Sequence, residues 1–395
     1  MEKIKVVKLT KIFGEHPEPA LERLSQGMSK DDIFNQTGQA VGLDKVSFEV
    51  QQGEILVVMG LSGSGKSTLI RCINRLIEPT SGQIFIDGKD ITSLDHHALL
   101  ELRRHKLGMV FQNFALFPHR NLLNNVEYGL EIQHQEKKSR IEKARAALQL
   151  VGLAGWEDAM PNQLSGGMQQ RVGLARALAI EPDILLMDEA FSALDPLIRG
   201  DMQNELIALQ NRMKKTILFI THDLDEALKL GNRVVLMKDG QVVQVGTPSE
   251  IIMAPANDYV KRFVENVDKS KVLTTHSVLT PVGVVAYPDD DPHTVINQMK
   301  AECLSCLLVI QRDHTLLGVV RIEITNAALE RGEKTIANII ESKVPTVTKT
   351  EPLTTLIAIL AKWPGQVPVV DERRKLQGIV INNSVLAALA KREIE

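Results

Sequence analysis

Gly60-Leu61-Ser62-Gly63-Ser64-Gly65-Lys66-Ser67-Thr68 follows the unbroken apolar run 55–59 and opens a segment with helical spacing. A buried strand, a glycine-rich loop and a helix in that order form a phosphate cradle. Gly60, Gly63 and Gly65 let the main chain wrap close enough for its N–H groups to face an anion, with Ser62 and Ser64 between them and Thr68 inside the first turn. The helix N-terminus adds a positive dipole. Lys66 is expected to reach the β- and γ-phosphates of a nucleotide, and the Ser67 hydroxyl to bind Mg²⁺. A glycine turn without a ligand is the bland alternative, and the strand before and helix after it argue against that.

Downstream, Ile184-Leu-Leu-Met-Asp188-Glu189 is an apolar strand ending in two acids. Open α/β sheets bind ligands at that strand edge. Asp188 is expected to hold Mg²⁺ and Glu189 to act as general base on the attacking water. Further strand candidates are 83–86, 109–111, 216–220 and 234–237, alternating with amphipathic helices. The pattern predicts an α/β P-loop domain with a largely parallel sheet over residues 1–267. Asp239-Gly240 is a two-residue turn signal between 233–238 and 241–245, a hairpin expected to close the domain. Residues 15–42 interrupt the first strand region with a helix, and Ser29 supplies capping chemistry for a second one.

Composition bounds the alternatives. At 395 residues the chain exceeds one ordinary core, so two or three domains are expected. Hydrophobic residues at 44% and charged residues at 24% suit a folded globular chain. A net charge of −3 gives no global field for nucleic acid, so no nucleic-acid partner is expected. The longest apolar runs fall far short of the ~20 residues a membrane helix needs. The N-terminus lacks the apolar core of a signal peptide, which points to the cytoplasm. Three cysteines form no disulfide framework. Cys303 and Cys306 lack a second ligand pair and read as a helix end entering a strand.

From residue 268 the glycine-loop chemistry stops and a repeat begins. At an offset of 60 residues, Pro292 meets Pro352, Val309 meets Val369, Leu316 meets Leu376 and Gly318 meets Gly378. Each copy reads as a helix, a strand, a charged turn and a strand, too small to bury its own faces. The copies, at about 280–330 and 340–392, are therefore expected to pack as a pair in a smaller α/β domain, 268–395.

P-loops serve kinases, GTPases, helicases and transport ATPases alike, so other motifs must choose among them. Leu164-Ser165-Gly166-Gly167-Met168-Gln169-Gln170, followed by Arg171-Val-Gly-Leu-Ala-Arg176, resembles the signature of ABC ATPases. Ser165, Gly166, Gly167 and Gln169 would present a second helix N-terminus to a γ-phosphate. The resemblance implies three further roles. Gln112 matches the Q-loop glutamine that joins the Mg²⁺ shell, Asp195 the D-loop at the dimer seam, and His222 the switch histidine. It also implies that ATP is sandwiched between the P-loop of one subunit and the signature of another, so a homodimer is required. Phe13 is the candidate to stack on adenine.

The resemblance reaches beyond the ATPase. Residues 24–38, Asn74-Arg-Leu-Ile-Glu-Pro-Thr, Glu189-Ala-Phe-Ser-Ala-Leu-Asp-Pro-Leu-Ile-Arg199 and Pro255-Ala-Asn-Asp-Tyr-Val260 are similar to the ATP-binding subunit of glycine betaine/proline betaine importers. That family implies a tandem CBS regulatory domain at the C-terminus. It implies integral membrane permease subunits, a solute-binding protein or domain, and a place on the cytoplasmic face of the cell membrane. CBS pairs of this kind are proposed to sense ionic strength, anionic lipid or a cyclic dinucleotide. Residues 271–395 carry 14 Lys plus Arg against 14 Asp plus Glu, so the domain is not basic overall, and Arg373-Arg374-Lys375 is a cationic spot on a hairpin turn. The Thr/Ser-x-Asp element expected for adenosine binding is missing at Thr325 and Ser384.

Overall fold

Runs of four or five apolar residues without polar alternation belong inside a sheet that is covered on both faces. The computed structural model, which describes residues 1–265, 267–363 and 365–390, puts them there. It divides into two compact units, Met1–Val267 and Asp268–Glu395.

In the first unit, β1 (Glu2–Phe13) and β2 (Ala40–Gln51) are long antiparallel partners, and α1 (Glu18–Ser25) and α2 (Lys30–Thr37) lie between them in sequence. The inserted helices bury Ala20, Leu24 and Ile33 against Ile12 and Val41. Ser29 caps α2 by accepting from the Asp32 N–H, and Gly38 ends the helix in the left-handed region at φ 69°. β3 (Ile55–Met59) leads through the glycine loop into α3 (Lys66–Ile73). β4 (Ser81–Ile86) and β5 (Lys89–Asp90) complete an antiparallel sheet of order β2-β1-β4-β5.

Next come α4 (His96–His105), β6 (Leu107–Val110), α5 (Leu122–Ile132), α6 (Lys137–Leu150), α7 (Gly166–Ala179), β7 (Ile184–Asp188), α8 (Pro196–Met213), β8 (Thr216–Thr221), α9 (Leu224–Leu230), β9 (Arg233–Lys238) and β10 (Gln241–Gly246). The second sheet has the order β10-β9-β3-β8-β7-β6, parallel except at β10. Asp239 and Gly240 turn the β9–β10 hairpin with φ of 48° and 74°. The hairpin does not close the unit: α10 (Pro248–Met253) and α11 (Asp258–Val264) follow, and Ile251 and Val260 extend the core with two further apolar faces.

Strand side chains alternate between faces, and here the two faces feed two cores. Ile55, Val57 and Met59 meet the α5 to α8 layer together with Leu185, Met187 and Phe219. Leu56 and Val58 face α3 and the antiparallel sheet with Leu186, Leu218 and Ile220. At ~1.5–3 kcal/mol for each fully buried aliphatic side chain, these strands fix the register on which the site depends.

The second unit, taken by itself, repeats one motif. Its elements are β11 (Val285–Ala286), α12 (Pro292–Ala301), β12 (Cys306–Ile310), β13 (Leu316–Arg321), α13 (Ile322–Glu330), α14 (Leu353–Leu360), β14 (Val367–Val370), β15 (Leu376–Val380) and α15 (Asn382–Ala390). Val309 pairs with Gly318 and Val369 with Gly378, and each hairpin shifts register immediately afterwards. Leu308, Ile310, Leu316 and Val319 of one copy share a core with Val370 and Ile379 of the other. Positions 391–392 of the second repeat lie outside the described residues. Cys306 is buried at the start of β12, and Cys303 is exposed between α12 and that strand.

Candidate nucleotide site

Parallel register carries the chemistry to one edge. Met59 stands beside Thr221, Asp188 beside Ile220, and Val110 beside Met187. The next residues along β3, β8, β7 and β6 are therefore the glycine loop, His222, Glu189 and the segment holding Gln112, in spatial order.

Two glycines of the loop admit no side chain. A Cβ on Gly60, at φ 155°, would lie 2.3 Å from the Met237 carbonyl, and one on Gly65, at φ 96°, 2.5 Å from that of Gly42. The loop winds around Lys66, whose buried ammonium donates to the carbonyls of Gly60 at 2.8 Å and Leu61 at 3.0 Å. Burial pulls the Lys66 pKa below its ordinary value, against the opposing charges of Glu189 and Asp188. A cation in such surroundings is poised to gain from an incoming phosphate. Gly63 faces open space, Leu61 and Ser62 are exposed, and Ser64 is buried beneath the loop. Thr68 borders Phe13: a Cβ on Gly42 would meet the Phe13 ring at 2.7 Å and the Thr68 methyl at 3.3 Å. Phe13 is 40% exposed at the end of β1, which leaves ring surface free for a base.

The Ser67 hydroxyl donates to Asp188 at 3.2 Å, and Arg71 lies 3.9 Å from the same carboxylate. Burial raises the Asp188 pKa, with Ser67 and Arg71 pulling the other way. A hydroxyl beside one buried carboxylate fits Mg²⁺, which takes few protein ligands and completes its shell with water and phosphate oxygens. Among the described residues no cluster of three or more His, Cys, Asp or Glu offers an all-protein metal cage.

Glu189 has left-handed backbone, φ 46°, held by its N–H donating to the Ile220 carbonyl at 3.0 Å and by Ser192 donating to its own carbonyl. The turn aims its carboxylate at His222, whose Nδ1 donates to Oε2 at 3.1 Å. Gln112 is exposed beyond β6. Lys66, Ser67, Asp188, Glu189 and His222 form one cluster, and Gln112 makes no hydrogen bond to it among the described residues.

Among the described residues, the signature side chains make no hydrogen bond or ion pair to that cluster within the chain. Ser165 caps α7 by accepting from the Met168 N–H, and Gln169 donates to the carbonyls of Pro161 and Leu164, bracing its own loop. Gly166 is exposed, while Gly167 is buried where a Cβ would lie 2.5 Å from the Ile198 side chain. Asp195 caps α8 through the Ile198 N–H at 3.0 Å. Leu61 in the glycine loop and Leu197 at the start of α8 are 59% and 82% exposed, apolar surface suited to a partner.

Sequence reasoning assigned no role to Arg199, although it stands in a quoted motif. Its guanidinium donates to Asp223 at 3.3 Å and to the Leu194 carbonyl at 3.0 Å, tying the Asp195 loop to the residue after His222. An arginine four positions into a helix carries no such signal in one dimension.

A family model for the ABC transporter domain matches residues 43–192, and one for the CBS domain matches 336–391. A glycine betaine/carnitine transport ATP-binding protein of Listeria monocytogenes is 52% identical over 394 residues, covering 100% of this chain and 99% of that one. A glycine betaine transport ATP-binding protein of Bacillus subtilis is 51% identical, covering 98% and 92%. The Escherichia coli glycine betaine/proline betaine transport system ATP-binding protein is 47% identical, covering 98% and 97%. A dimeric ATP-binding cassette in a post-hydrolysis state with ADP and Pi superposes with a TM-score of 0.53 at 33% identity, covering 62% of this chain and 98% of that one. Strand-end geometry, signature helix and full-length similarity agree: the chain belongs to the family of ATP-binding subunits of glycine betaine ABC transporters.

Proposed function

We propose that this chain drives uptake of glycine betaine or a related quaternary-amine solute through separate membrane permease subunits, from the cytoplasmic face of the membrane. The observation that carries the reading is the in-register strand edge that brings Lys66, Asp188, Glu189 and His222 together in a chain 52% identical to a glycine betaine/carnitine transport subunit. No helix among the described residues is long and apolar enough to cross a membrane, so the solute path belongs to partners. A solute-binding protein or domain would deliver the cargo.

In this reading the loop amides of residues 60–68 and Lys66 hold the phosphates of ATP while Phe13 stacks on adenine. Ser67, Asp188 and Gln112 would hold Mg²⁺, which when bound supplies positive charge to the β- and γ-phosphate oxygens. Glu189 takes a proton from the attacking water, and His222, bonded to it, fixes its orientation and faces the γ-phosphate. Ser165, Gly166, Gly167 and Gln169 of a second copy, with its Asp195, close the other side. Two sites thus form in a homodimer, and closure on ATP followed by opening is the two-state element that moves the permease.

The repeated second unit we read as a tandem CBS pair that regulates transport osmotically, with anionic lipid or a cyclic dinucleotide as signal. Uptake of labelled glycine betaine by vesicles holding the complete complex tests the function. ATP-dependent uptake that rises with salt supports it; ATP hydrolysis with no uptake of any quaternary amine would remove the proposed cargo.

A further inference from the structure

We infer that Arg176 is a positioning residue that clamps the Gln112 loop onto the signature helix, so that the two halves of the chemistry carried by one chain move as one body. α7 begins at the signature and carries Arg176 ten residues beyond Gly166, ~15 Å along the helix at 1.5 Å per residue. The Arg176 guanidinium donates to the Ala115 carbonyl at 2.5 Å and to the Phe114 carbonyl at 3.0 Å. Both residues follow Gln112 closely and both are left-handed, with φ of 50° and 56°. Side chains disfavour that conformation, so an outside constraint must hold it.

The loop also lies along the helix. A Cβ on Gly166 would stand 3.7 Å from the Phe114 ring, and one on Gly173 3.6 Å from the Phe114 carbonyl. Contact at Gly166, Gly173 and Arg176 therefore runs from the signature end to the far end of α7. The arginine's chemistry is spent on this contact. It is partly buried, burial lowers its pKa, and among the described residues no carboxylate pairs with it. A planar fork with two donors fits two successive carbonyls; a lysine can serve one at a time. Rotation of the signature helix would thus carry Gln112 with it, which couples the site this chain completes on its partner to the site it holds itself.

The inference rests on the roles proposed for Gln112 and Ser165. The test uses the full chain in its reconstituted complex and compares Arg176→Lys, Phe114→Ala and Gln112→Ala by ATP KM, kcat and amide exchange at 113–116. Arg176→Lys is expected to leave KM within about twofold, lower kcat about tenfold and speed exchange at 113–116 about tenfold. Phe114→Ala, which takes the ring off the signature end of α7 and leaves the sequence of the helix unchanged, is expected to do likewise and serves if the arginine variant fails to fold. Wild-type kcat in folded Arg176→Lys or Phe114→Ala, or a lower kcat without faster exchange in the loop, overturns the clamp. Unchanged turnover in Gln112→Ala would instead overturn the role of the glutamine on which the clamp acts.

Discussion

At the scale of single residues, the structure separates two neighbouring acids by environment. Asp188 is buried against Ser67, whereas Glu189 turns through left-handed backbone to meet His222. Glu189→Gln is expected to lower turnover by ~10²–10⁴-fold with ATP binding intact, because it removes a base and keeps the shape; single-turnover kinetics with a nucleotide-binding titration checks it. Asp188 behaves differently. A carboxyl whose folded pKa is raised contributes stability below its unfolded value near ~4 and loses that contribution as pH rises through the folded value. Asp188→Asn should therefore raise the nucleotide-free melting temperature by ~2 °C at neutral pH while abolishing Mg²⁺-dependent hydrolysis; melts at acidic pH should show the gap closing. The two acids were legible in the sequence as polar residues ending an apolar strand. The bond between Glu189 and His222 was not, since 33 residues separate them and only the parallel pairing of β7 with β8 brings them together.

At the scale of elements, unbroken apolar runs and glycine spacing revealed the strands that feed the site, because a strand covered on both faces carries no polar alternation. The hairpin at Asp239-Gly240 was legible for the same reason that only a few residues tolerate its dihedral angles. Contacts between elements were hidden. Gly167 reads as part of a phosphate-facing motif, yet its lack of a side chain also lets Ile198 of α8 sit against α7. Gly167→Ala is expected to push the first turn of α8, and Asp195 with it, costing ~1–3 kcal/mol of stability and lowering kcat. Ile198→Ala in the same chain, which removes the Cγ2 methyl that the new side chain would meet, should restore part of both, measured by thermal unfolding and steady-state hydrolysis. Arg199 and Arg176 are the matching polar links, each joining a loop to a helix through main-chain carbonyls. Carbonyl partners have no residue type, so no sequence pattern announces them.

At the scale of the whole molecule, the two units carry separate cores and separate logic. The first holds its own sheets and the nucleotide cluster, and the second repeats a hairpin with the same register shift in both copies. Truncation after Val267 is expected to spare ATP hydrolysis and to alter its dependence on salt, checked by hydrolysis rates across ionic strength for the full and truncated chains in their complexes. The repeat was legible because Pro, Gly and apolar positions recur at one offset, and the pairing of its copies followed from the small size of each. Dimerisation has the strongest structural motive: Ser165 caps a helix within its own chain and meets no part of the P-loop there by hydrogen bond or ion pair among the described residues. Assembly of each site from the P-loop of one chain and the signature of another is best tested by mixing two inactive variants, Lys66→Ala and Ser165→Arg. In mixed dimers one site carries both lesions and the other carries neither, so hydrolysis should return to about a quarter of wild type in a random twofold mixture. A mixture as inactive as its components would mean that each chain builds its site alone.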